Sequence, residues 1–127
     1  TLRFLGDADA EEVARALAGM GARATTAILG PRVGRLGRGV VVAPVAGLDG
    51  LASSVDAVTA HLGEPPDPRP FIGHLTLARV REGATCGLAG TPVDASFRVG
   101  EVAVVDSETH PDGARYTDVA RVALEAV

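Results

Sequence analysis

The spacing of apolar residues along the chain follows two periods. Residues 1–5 alternate, with Leu2 and Phe4 on one face and Thr1, Arg3 and Leu5 on the other, and this predicts a strand. Residues 10 to 18 carry Val13, Ala14 and Leu17 at helical spacing. Asp9 and Glu12 ahead of them have the spacing of a capping box, with Asp in place of Ser or Thr, and Gly19 and Gly21 close the segment. The clearest helix is predicted over residues 49–62, where Leu48, Leu51, Ala52, Val55, Val58 and Leu62 form one stripe with His61 beside it.

The other apolar runs read as strands: 24–29, 40–43, 71–80, a long one over 96–105 bent at Gly100, and 114–124 after a turn at His110-Pro111-Asp112-Gly113. The Gly- and Arg-rich stretch 31–39 reads as a loop, and 84–90 as a short turn or helical stub. Four prolines between Pro65 and Pro70 fix φ and remove backbone donors, so that stretch is a stiff connector into Phe71. Helices alternate with strands, and then strands pair as hairpins. The pattern is α+β with antiparallel sheets.

Composition narrows the picture. The 127 residues suit one domain, or two small lobes. With no Trp, one Tyr and three Phe, the core must be aliphatic. All 12 basic residues are Arg; with abundant Ala, Gly and Val this fits a GC-rich coding sequence and carries no functional weight. A net charge of −4 excludes a general polyanion binder, so any nucleic-acid contact has to be a local cluster of Arg. The single cysteine, Cys86, allows no intrachain disulfide, and no apolar run approaches the roughly 20 residues of a membrane span. A cytoplasmic monomer is expected, with no membrane partner.

Candidate chemistry concentrates in His74-Leu75-Thr76-Leu77. Residues two apart on a strand project together, so an imidazole and a hydroxyl converge on one small group. The imidazole can accept or give a proton near neutral pH, and the hydroxyl can donate to a phosphate oxygen. Arg79 could neutralise phosphate charge, but strict alternation aims it at the opposite face unless the strand ends or bulges there. Taken by itself, a His-x-Thr strand is more often a half-buried histidine bonded to backbone.

Its surroundings alter that reading. Arg69-Pro70-Phe71-Ile72-Gly73-His74-Leu75-Thr76-Leu77-Ala78-Arg79 resembles the second motif of the RNA 2′,3′-cyclic phosphodiesterase (2′-5′ RNA ligase) family, within the two-histidine (2H) phosphoesterases. Thr1-Leu2-Arg3-Phe4-Leu5-Gly6 is similar to the tail of that family's first motif. Asp106-Ser107-Glu108-Thr109-His110-Pro111-Asp112-Gly113-Ala114-Arg115-Tyr116 is similar to its Ser…Pro-x-Gly…Tyr segment. The three occur in order, across essentially the whole chain.

The resemblance implies two α/β lobes with antiparallel sheets around a central cleft, each lobe offering one His-x-Thr strand. It implies metal-independent, cofactor-free hydrolysis of a terminal 2′,3′-cyclic phosphate on RNA, or of a small cyclic nucleotide, with RNA ligation as the reverse reaction. His74, Thr76 and Thr1 would be catalytic, and Arg79 and Arg3 would contact substrate. The family's first histidine would fall two residues ahead of Thr1, so the sequence given is expected to lack it together with the opening strand and helix, and to be inactive alone. An RNA-end binding module without turnover is the alternative.

Other residues carry less. His61 reads as a surface residue near a helix end, and His110 as part of a turn. The three histidines form no metal set. Arg32, Arg35 and Arg38 read equally as RNA contacts or as solvated loop charge. Phe71, Phe97 and Tyr116 read as structural, and Cys86 as a small buried apolar residue.

Overall fold

The computed structural model describes residues 1–81 and 84–126. In chain order the elements are α1 (Ala10–Ala18), β1 (Thr25–Leu29), β2 (Gly34–Leu36), β3 (Val40–Ala46), α2 (Asp49–Thr59), β4 (His74–Arg79), β5 (Ala95–Val99), β6 (Glu101–His110) and β7 (Gly113–Ala123). They divide into two compact units: Thr1–Ala24, Leu51–Arg69 and Val99–Val127 in the first, Thr25–Gly50 and Pro70–Arg98 in the second. The class is α+β with antiparallel sheets, as the pattern predicts.

The first unit packs two helices on a hairpin. Asp9 caps α1, its carboxylate accepting from the backbone N–H groups of Glu11 (2.9 Å) and Glu12 (3.2 Å), which satisfies donors the first helical turn leaves open. Val13 and Leu17 then meet Leu51, Val55, Leu62 and Val102 in an aliphatic core. β6 and β7 pair from Glu101↔Ala123 to His110↔Gly113, with a bulge between Val104 and Val105.

Two expectations fail here for one physical reason. Residues 1–5 are not a strand, and α2 ends at Thr59 rather than 62. The last carbonyls of a helix have no internal donors and carry partial negative charge. Arg3 supplies the donors: its guanidinium reaches Thr59 O (2.5 Å), Thr59 Oγ1 (2.6 Å), Leu62 O (3.2 Å) and Glu64 O. The following turn closes with the Leu62 N–H on Thr59 O at 2.9 Å. Drawing Arg3 inward breaks the alternation, so Leu2, Arg3 and Leu5 point in while Phe4 is 72% exposed. The Glu64 N–H donates to Leu5 O (2.7 Å), and Gly63, at φ +62°, lies so close that a Cβ would stand 2.1 Å from that oxygen.

The second unit is an all-antiparallel set of pairings around β3. The sheet runs β2-β3-β1-β5, with β4 also on β3. Val41, Val42, Ala43 and Val45 of β3 are buried. The stretch 31–39, read as a loop, contains β2 and a tight turn to β3, with Arg35 paired to Val41 and Gly37 at φ +65°. The strand predicted over 96–105 breaks at Gly100, and its halves, β5 and β6, join different sheets.

Candidate functional site

β4 presents the candidate chemistry. It is held to β3 by pairs at Val40↔Arg79, Val41↔Ala78, Val42↔Thr76, Ala43↔Leu75 and Pro44↔His74. Between Ala78 and Thr76 one residue, Leu77, has no partner of its own, so β4 bulges there. The bulge decides where Arg79 points. Partners across an antiparallel ladder face the same way, and Val40, Val42 and Pro44 lie two apart on β3. His74, Thr76 and Arg79 therefore share one face. Ala78, which strict alternation would put with them, turns to the other.

The imidazole is oriented by its own strand. Nδ1 lies 2.7 Å from the carbonyl oxygen of Ile72, which can only accept, so Nδ1 carries the proton and the neutral ring presents an unprotonated Nε2. The ring is half-buried and the Thr76 side chain exposed. Gly73 fixes the height of this strand: its carbonyl accepts from the Val45 N–H (2.9 Å), and a Cβ on it would sit 2.2 Å from Val45 O. The Arg79 side chain is exposed, and no hydrogen bond or ion pair engages its guanidinium among the described residues.

Arg3, expected on the substrate, is in a different setting. Its side chain is 3% exposed and its terminal nitrogens are committed to the last residue of α2 and the turn after it, while Nε stands 3.9 Å from Asp56 Oδ1. Thr1 is exposed, and lines a hollow of about 940 Å3 in the first unit together with Asp106, Ser107 and Tyr116. Two of the three motif segments thus meet around one cavity. Tyr116, read as structural, is 69% exposed, and Phe97 is 52% exposed; Phe71 is half-buried.

Three of the remaining candidates, His110, Arg32 and Arg35, have structural partners. His61 is exposed beyond the end of α2. His110 Nε2 lies 3.2 Å from Glu108 Oε2. Arg32 donates to Gly90 O (3.0 Å), and Arg35 to Ala84 O (2.8 Å) and Arg38 O (3.4 Å). Cys86 is a free thiol, half-buried rather than buried. Among the described residues no three or more His, Cys, Asp or Glu side chains group as metal ligands, and no helix is long and apolar enough to cross a membrane.

By sequence, no family model matches the chain and no curated protein matches it significantly. Solved structures do match. TT0787 of Thermus thermophilus superposes with a TM-score of 0.80 at 29% identity, covering 99% of this chain and 77% of that one. E. coli LigT, complexed with 3′-AMP, gives 0.74 at 28%, covering 98% and 75%. The chain has the LigT-like fold of the 2H phosphoesterases. A further neighbour described as a phosphoesterase gives 0.72 at 26%, covering 98% and 75%. This likeness to LigT and to other 2H phosphoesterases supports phosphoesterase-type activity in general.

Proposed function

We propose that the protein hydrolyses the terminal 2′,3′-cyclic phosphate of RNA to a 2′-phosphate, with His74 as the general base. The observation that carries this reading is the Ile72 carbonyl on Nδ1, which leaves the basic Nε2 on the same face as the Thr76 hydroxyl and the Arg79 guanidinium. In that scheme Nε2 takes a proton from water, the water oxygen bonds to phosphorus, and the bond from phosphorus to the 3′ oxygen breaks. Thr76 donates to a non-bridging oxygen, and Arg79 balances the charge that gathers there. The departing 3′ oxygen needs a proton. Where the gene encodes a histidine two residues ahead of Thr1, that imidazolium supplies it. The chemistry asks only for an acid, a base and hydrogen-bond donors. LigT has been crystallised with 3′-AMP and with NADP+, which favours a nucleotide substrate here too.

The test is turnover of an RNA oligonucleotide ending in a 2′,3′-cyclic phosphate, using the chain as encoded with any residues that precede Thr1. His74→Ala should lower kcat by about 10²–10⁴-fold with an unchanged melting temperature. Turnover as fast as wild type in that variant defeats the assignment. Base and acid must hold opposite protonation states, so the rate should fall on both sides of an optimum.

A further inference from the structure

Pro44 stands where a sheet seldom admits a proline. It lies inside β3, which has β4 along one side and β1 and β2 along the other. Prolines in sheets keep to edges, first residues and bulges, because the ring nitrogen has no hydrogen to give the ladder. Here the Gly30 N–H donates to Pro44 O (3.0 Å), and Pro44 has no N–H to return the bond. The centre of the sheet thus gives up a donor at the position directly across from His74.

The register shows what the pyrrolidine ring stands beside. The Val45 N–H donates to Gly73 O, so Pro44 and His74 form a pair with no hydrogen bond between them. In that type of pair the side chains are closer, with Cα atoms about 4.5 Å apart. Both residues are half-buried, and they share one face. An imidazole turns readily about its last torsion, which has two broad wells. The one hydrogen bond to Ile72 O is a thin constraint on such a ring. A proline across the ladder closes the β3 side with a surface that has no rotamers of its own to order.

We propose that Pro44 is a positioning residue for His74. Its ring confines the imidazole to the orientation with Nδ1 on Ile72 O and Nε2 open to the face shared with Thr76 and Arg79. Pro44 meets no reacting atom and acts through the base. The kinetic consequence rests on the phosphodiesterase reading, whereas the orientation of the ring is a property of the protein without substrate.

The experiment reads both ring and rate in wild type, Pro44→Ala and Pro44→Val, each in the chain as encoded. Nitrogen NMR of the imidazole reports which ring nitrogen carries the proton. Pro44→Ala removes the wall and restores the N–H toward β1, so its melting temperature should equal or exceed that of wild type. Its His74 should pass from one tautomer to a mixture of two. On the cyclic-phosphate RNA its kcat should fall by about tenfold, with KM within about twofold. Pro44→Val returns a stiff, branched side chain and should recover most of the rate and the single tautomer. A single tautomer in Pro44→Ala overturns the proposal, as does an unchanged kcat or a loss that Pro44→Val does not recover. A lowered melting temperature in Pro44→Ala overturns it too, since the ring would then serve the sheet. If wild type fails to turn over the RNA while the tautomers behave as stated, the phosphodiesterase reading falls and the positioning of His74 stands.

Discussion

Thr1-Leu2-Arg3 and Thr76-Leu77-Ala78-Arg79 begin alike and fold apart. The first is irregular chain whose arginine is buried against the end of α2. The second is a bulged strand whose arginine is exposed on the face of His74. One guanidinium finds carbonyls at and beyond a helix end that need donors; the other is turned onto the face of His74 by a single unpaired residue, Leu77. The family resemblance nominated both as substrate contacts. Which of them is available depends on the backbone groups the fold leaves open nearby, and short-range pattern does not carry that information.

The sharpest test exchanges the two arginines' effects. Arg3→Ala removes the donors from Thr59, Leu62 and Glu64, and should cost about 3 kcal/mol, since hydrogen bonds to a charged group are worth about 1.5–3 kcal/mol each and their loss leaves carbonyls unsatisfied. Thermal unfolding should show a drop on the order of 10 °C. Arg79→Ala should leave stability within about 0.5 kcal/mol and lower kcat/KM by about 10²-fold. If Arg79→Ala unfolds the protein, or Arg3→Ala melts like wild type, the contrast between the two segments is wrong.

A second break aims at the strand alone. Gly73→Ala drives a methyl group toward Val45 O and must shift β4 against β3 just ahead of His74. A displacement of that kind is worth about 10²-fold in rate when reacting groups have to meet within a fraction of an ångström. Gly87→Ala, where nothing lies within 4 Å of the new atom, is the matched control and should be silent. A smaller effect is expected on the other side of the comparison. Thr59, 0% exposed, both accepts from Arg3 and donates to Val55 O (2.6 Å). Thr59→Val keeps the shape and removes both bonds, so denaturant unfolding should register a loss of about 1–2 kcal/mol.

Much of the architecture was legible. α1 and its Asp9 cap follow from the periodicity of Val13 and Leu17, and β7 from the turn at 110–113, because local sequence and tertiary demand agree there. The break at Gly100 was visible only as a bend; that its two sides enter different sheets is a property of partners far away in sequence. β2 was hidden because Gly34, Arg35 and Leu36 are poor strand formers that β3 recruits by pairing. At the candidate site His74 and Thr76 follow from alternation. The place of Arg79 required the bulge, which no composition rule announces, and the burial of Arg3 required knowing that α2 ends at its door.

Arg69 supplies the exposed counterpart to Arg3, and the smallest predicted effect. Its guanidinium lies 2.7 Å from Asp67 Oδ2 and its own N–H donates to Oδ1 at 2.9 Å, closing a turn in the proline-rich connector. The side-chain bond from Arg69, with the backbone N–H behind it, lowers the Asp67 pKa from 3.8 to about 2. A lowered carboxyl pKa means the folded form binds the proton less readily than the unfolded one. The stabilisation is therefore complete above about pH 4 and disappears as the pH falls through about 2. Both groups lie in water, so screening keeps the contribution slight, unlike that of the sealed guanidinium of Arg3. Following the Asp67 carboxyl by NMR should give a midpoint near the lowered value in wild type and one near the usual carboxylate range in Arg69→Ala. The two variants should then differ in size: Arg3→Ala loses about 3 kcal/mol at neutral pH, while Arg69→Ala loses only a slight contribution above about pH 4, and its difference from wild type vanishes as the pH falls through about 2. A normal Asp67 midpoint in the wild-type protein would show that the turn is held by its prolines alone.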